Sequence, residues 1–440
     1  MTEDIITYLI RFLIGEEHEP GLSRYVGYTN DPLAFGRYRV VIQPSGFFNE
    51  GIYGTERSMP QLPLAEIAGV PLLFGEPSVE WVEDTLLVKA DIIASAYFLL
   101  TRYEEIRRRD IRDTHGRFPG KESLPYRAGF IDRPIVDEYG RLLRDWLRQS
   151  GLEQIEEFDP KILKIWLTHD IDIPFFCRSL RSLVRESLKG CGPAKAWQIF
   201  KGPLTEDPYY TLPWLSRHAD ILKRSFGDGR CETLLFLKAG GKSQEDKPHY
   251  SLWAKDIRTL IAESRRAHYQ IGLHSSYDAG MEPALIGAEK ATLEKYLGTP
   301  VRFNRHHFLA SREPEDLDWL EREGFTDDFT MGYADVTGFR LGTARPVRWI
   351  NPENRRLSSL TLHPLTIMDR SLNDPRYMGL TYNEALIYCS RLITQAKRVN
   401  GELVLLWHNN SVANTPGPRP VNEWHREFYE ELIRIIGDNE

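Results

Sequence analysis

The chain has 440 residues, 41% of them hydrophobic and 27% charged, with a formal net charge of −7. That length exceeds one ordinary domain and leaves room for a barrel plus a smaller unit. The acidic balance gives no electrostatic footprint for nucleic acid. Four scattered cysteines (Cys177, Cys191, Cys231 and Cys389) show no CxxC spacing, so neither a disulfide framework nor a cysteine-based zinc site is indicated.

The start, "MTEDIITYLIRFLIGEE", repeats its apolar residues at helical spacing and is interrupted by Arg11. It has no basic leader and no cleavage site, and it falls short of the ~20 apolar residues of a membrane span. An amphipathic helix packed on the domain is expected, with no transmembrane segment and a cytoplasmic location. Turn-rich segments follow, then the helical "ADIIASAYFLLTRYEEIRRRD", whose acids precede its bases in the order a helix favours. Residues 1–158 read as an α+β accessory domain without a reaction signature, bounded by the acidic, proline-ended "EQIEEFDP" at 153–160.

From residue 159 to 440 the pattern alternates strands and helices. Strands are expected at 162–168, 233–239, 269–275, 301–307, 324–330, 357–363 and 402–408, with amphipathic helices such as "LWAKDIRTLIAESRRA" and "NEALIYCSRLITQAKRV" between them. Repeated β–α alternation argues for a parallel sheet with outer helices. Seven such repeats suit a distorted TIM-like (β/α)7 barrel.

Four expected strands end in reactive side chains: Asp170 and Asp172 in "THDID", His274 in "GLHSSYD", Arg305 to His307 in "RFNRHHFL", and His408 in "LLWHNN". Parallel strands bring their C-terminal ends to one face, where a barrel builds its site. Each feature alone has an ordinary explanation. The aspartates could cap a helix, and His408 could be a hydrogen-bonded core residue. His274 and Asp278, four apart, share a face if a helical turn begins there and could chelate one ion. In an extended segment Arg305 and His307 point to one side and His306 to the other, so one histidine is expected merely to pack.

In that order, the motifs of residues 161–410 resemble the polysaccharide deacetylase family, the NodB-homology or carbohydrate esterase family 4 fold. The resemblance implies a metal-dependent hydrolase that removes an N-acyl group, chiefly N-acetyl, from a sugar or glycan precursor. It implies Asp170 as base and Asp172 as metal ligand. His274 is implied as the second ligand, with Asp278 standing where the family has a further histidine. Arg305 would tether the base, and His408 would be the general acid. One divalent ion is implied, zinc first; the Asp278 carboxylate makes the set harder and brings Mn²⁺, Fe²⁺ or Co²⁺ into range. His307 could enter as a ligand if its strand end lies close enough. His307, Tyr277 and Trp407 are candidate substrate contacts. "DDFTMGYADVTGFRLGTARP" resembles the superfamily's fourth region. "YFLLTRYEE" and "DRPIVDEY" resemble an uncharacterised domain that precedes deacetylase modules in some bacterial proteins. Hydrolysis of a non-sugar amide or ureide, or glycan binding without catalysis, remain as alternatives, and the oligomeric state is open.

Overall fold

The computed structural model describes residues 2–16, 21–156, 159–227, 229–414 and 424–439. The expected domain boundary falls at residues 157 and 158, which lie outside the described residues.

The first helix, Glu3–Ile14, buries Ile5, Leu9, Ile10 and Leu13 and ends on Gly15 at φ 71°. That is the left-handed cap glycine tolerates best. Among the described residues, no helix is long and apolar enough to cross a membrane. The next strands are β1 (Val26–Tyr28), β2 (Val40–Ile42), β3 (Ala65–Ile67), β4 (Val70–Leu72), β5 (Gly75–Val82) and β6 (Thr85–Ala90). They form a mixed sheet, β1-β2-β6-β5, and a separate β3-β4 ladder. The helix Ile92–Leu100, read "IIASAYFLL", is buried on every side; Asp91 caps it by accepting from the Ala94 N–H.

The second sheet has nine strands: β7 (Lys164–Asp170), β8 (Cys231–Leu237), β9 (Gln270–Ser275), β10 (Phe303–His306), β11 (Asp327–Asp328), β12 (Val347–Asn351), β13 (Arg356–Leu362), β14 (Ile367–Met368) and β15 (Glu402–Leu406). All seven strands expected from sequence are present. The order is β12-β13-β11-β10-β9-β8-β7-β15-β14; all pairs are parallel except β12 with β13. The fold is thus mixed α/β, with a curled half-barrel sheet. Among the described residues β12 and β14 are its two edges. The sheet stays open between β12 and β14. β13 is already paired on both sides, by β11 and β12, and only residues 363–366 lead from β13 to β14, too few for the crossover that a parallel neighbour needs.

One apolar core runs from Leu9, Tyr97 and Leu143 to Leu273, Leu360 and Leu362 of the nine-stranded sheet. A buried ionic cluster crosses the same boundary: Glu105 accepts from Arg102 and from Arg340, and Arg102 also donates to the Ser311 carbonyl.

Candidate functional site

Parallel register brings the predicted side chains to one rim. Asp170 ends β7 opposite Phe236 of β8, His274 of β9 pairs with Arg305 of β10, and Met368 of β14 pairs with Leu406 of β15. The cavity above them, about 270 Å³, is lined by Asp170, Asp172, His274, His307 and His408, among others.

Asp172 stands at the centre. His274 Nε2 lies 3.2 Å from its Oδ1; His307 Nε2 and His408 Nε2 lie 3.4 and 3.5 Å from its Oδ2. The outer nitrogens of these rings are already engaged. His274 Nδ1 donates to the Arg305 carbonyl at 2.9 Å, and His307 Nδ1 donates to Asp246 Oδ1 at 2.8 Å. An acceptor on Nδ1 places the proton there and leaves the Nε2 lone pair facing inward, the usual arrangement of ligating histidines.

Asp172, His274 and His307 form the group able to hold a metal ion among the described residues, with one donor atom from each all within 4.8 Å of one another. Two observations fit them to a cation. Asp172 Oδ1 and His274 Nε2 are buried without a hydrogen-bond partner, a costly state for polar atoms. Donors about 2.1 Å from a tetrahedral ion would stand roughly 3.4 Å apart, close to the separations seen. Electrostatics agree. Burial would raise the Asp172 pKa, yet His307 and His274 hold it well below the usual carboxylate range. Burial would lower His307, but Asp172 and Asp246 push it up to about 9. A proton on His307 thus compensates charge where a cation could.

Asp170 sits beside this group. Its Oδ1 accepts from Arg305 Nη1 at 2.9 Å and its Oδ2 lies 3.5 Å from His274 Nε2. Arg305 is wholly buried and also donates to Thr168 Oγ1 and the Phe329 carbonyl. His408 Nδ1 meets Asp369 Oδ1 at 2.9 Å, and the His408 N–H also bonds to Asp369. Burial opposes charge on His408, but Asp369 and Asp172 raise its pKa.

Three expected placements do not occur. Asp278 is outside the group; its Oδ2 accepts from the Lys242 and Ser243 N–H groups at 2.6 and 3.2 Å. The helical turn Tyr277–Met281 starts one residue after Ser276, which caps it, and carries Asp278 toward the 240s loop. His307 occupies the third place instead. Trp407 is fully buried against Phe428 and Tyr429, because strand alternation turns Leu406 toward the cavity and Trp407 toward the outer helix. Tyr277 packs on Phe308 and His115, with its hydroxyl 3.3 Å from His115 Nδ1, so Phe308 lines the cavity in its place.

His306 packs as the alternation requires, near Asn304 and Thr330, and burial lowers its pKa to about 3. His169 bonds to the Trp407 carbonyl and is likewise driven down, to about 4. Phe308 and Leu309 adopt φ 61° and 53°. Two adjacent non-glycine residues in the left-handed region mark strain of the kind functional sites hold.

Sequence reasoning missed Asp246 and Asp369, the carboxylates behind His307 and His408. Asp246 lies in a loop after β8, where only the strand-end position was a signal. Gly241 at φ 85° makes that loop possible, since a Cβ there would come within 2.3 Å of Asp246 Oδ2. Asp369 follows β14, a two-residue strand too short to show periodicity.

A family of unknown function, DUF7033, matches residues 6–151. No curated protein matches the chain. Among solved structures, the chain is similar to a Mycobacterium smegmatis protein inferred to be a polysaccharide deacetylase; the match has 16% identity and a TM-score of 0.38, and covers 63% of this chain and 86% of that one.

Proposed function

We propose that this chain is a metal-dependent hydrolase that removes an N-acyl group, N-acetyl first, from a sugar or glycan precursor. The observation that carries the reading is the convergence of Asp172, His274 and His307, with inward-facing atoms left unpaired, beside a tethered carboxylate and a carboxylate-backed histidine. Residues 159–440 would be a distorted relative of a (β/α)7 barrel, and residues 1–158 an accessory domain.

Asp172, His274 and His307 would hold the ion, zinc before Mn²⁺, Fe²⁺ or Co²⁺, because two imidazoles and one carboxylate suit it. A bound divalent cation would supply Lewis acidity for the acyl oxygen and for a water molecule. Asp170, fixed by Arg305, takes the proton of the attacking water. His408, oriented by Asp369, donates a proton to the departing amine nitrogen. Each C–N bond cleaved thus adds one water across it.

Elemental analysis of wild type, Asp172→Ala and His274→Ala tests the ion. Near one ion per chain, lost in both variants, is expected; no ion after incubation with Zn²⁺, Mn²⁺, Fe²⁺ and Co²⁺ overturns the mechanism. A screen of N-acetylated sugars beside small cyclic amides then separates the sugar reading from ureide hydrolysis.

A further inference from the structure

The cavity above the site has an uneven distribution of charge. Asp170 is paired with Arg305, His307 with Asp246, His408 with Asp369, Arg376 with Asp374, and Arg117 with Asp113. Arg370 also lines the cavity, is half-buried, and directly follows the aspartate that orients His408. Among the described residues its guanidinium has no hydrogen bond and no ion pair. Arg117 reaches the same cavity from the N-terminal region, held by Asp113 while donating to the Phe308 carbonyl.

A guanidinium presents five donors in a planar fork matched to an oxyanion, and it cannot shed its charge. Placed in a part-buried cleft with no hydrogen bond or ion pair of its own, Asp369 and Asp374 acting on it only at longer range, it is a recognition group for an anion. We infer that the substrate carries an anionic oxygen group, phosphoryl or carboxylate, near its N-acyl bond, and that Arg370 receives it, with Arg117 and Arg376 as neighbouring cations. This rests on the hydrolase reading for the word substrate, but the anion site itself does not need the ion or the reaction.

The test uses the full chain stripped of metal and freed of chelator, titrated calorimetrically with pyrophosphate and with succinate. At least one should bind, with the tighter probe naming the group. Arg370→Met should weaken it about tenfold or more, the worth of one charge-assisted contact, and Arg370→Lys should recover part. A second arginine-lined cavity holds Arg141 and Arg398, so Arg141→Ser with Arg398→Ser is the control. Binding that survives Arg370→Met but fails in the control, or binding of neither probe, overturns the inference. In a kinetic arm, the kcat/KM ratio of a phosphorylated N-acetylhexosamine to its neutral parent should fall about tenfold in Arg370→Met. Anion binding through Arg370 without cleavage of any N-acyl substrate leaves the anion site standing and overturns the hydrolase reading alone.

Discussion

His307 Nε2 lies 3.4 Å from the Asp172 carboxylate, in the place where the sequence pattern puts Asp278. The two candidates make opposite predictions. His307→Ala should abolish the ion, while Asp278→Ala should retain about one ion per chain, because Asp278 only accepts from the Lys242 and Ser243 backbone. Elemental analysis of both variants decides; loss in Asp278→Ala alone would reinstate the sequence expectation.

Asp246 supports His307 from behind, and burial notwithstanding, His307 and the Tyr277 N–H hold its pKa down to about 2. Outer carboxylates of this kind orient the ring and raise its basicity, typically worth about 10–100-fold in metal affinity. Asp246→Asn keeps the shape and removes the charge. Chelator competition should show affinity reduced within that range; an unchanged value would mean Asp246 only shapes the loop.

Arg305 and Asp170 form a buried pair at 2.9 Å. Removing one member leaves the other charge stranded, at a cost of about 3–5 kcal/mol. Arg305→Met should therefore lower denaturation stability by that amount. Adding Asp170→Asn should cost less than the sum of the single changes. Strict additivity in the cycle would show that the pair is not coupled.

His363 supplies a pH test away from the site. Its ring lies between Glu402 at 2.7 Å and Asp327 at 3.0 Å, stacked on Phe329. Burial opposes its charge, but Glu402 and Asp327 together push the pKa from 6.5 to about 9. The folded state therefore keeps a proton that the unfolded chain releases. The stabilisation, up to about 3 kcal/mol, is complete below pH 6.5 and lost as pH rises through 9. Urea midpoints should fall across that window in wild type, and the fall should be shallower in His363→Gln. Equal slopes would refute the assignment.

The Arg102–Glu105–Arg340 cluster and the shared core tie the N-terminal region to the nine-stranded sheet. Calorimetry should show one cooperative transition for the full chain, and Glu105→Ala should lower it, since two buried guanidiniums lose their carboxylate, at about 3–5 kcal/mol. Two resolved transitions, with only one moved by the variant, would show independent domains.

Several elements were legible from residue order because their cause is local. Seven apolar runs became strands, and the period-2 rule placed Arg305 and His307 together and His306 away. The strand-end positions of Asp170, Asp172, His274 and His408 followed from parallel topology. The same rule, applied to "LLWH", would have sent Trp407 outward from the cavity; its aromatic character suggested a sugar contact and alternation decided otherwise.

What residue order determined, then, is the alternating β–α architecture and the set of polar groups at one sheet rim, since periodicity and chain direction are properties of neighbouring residues. Tertiary structure decided which of them meet. Whether Asp278 or His307 completes the group depends on where a short helical turn begins, and the partners Asp246 and Asp369 lie in loops whose course no local period records. The opening between β12 and β14 likewise depends on pairing across the whole sheet, where β12 covers β13 as an antiparallel edge strand, a constraint of closure that sequence periodicity does not contain.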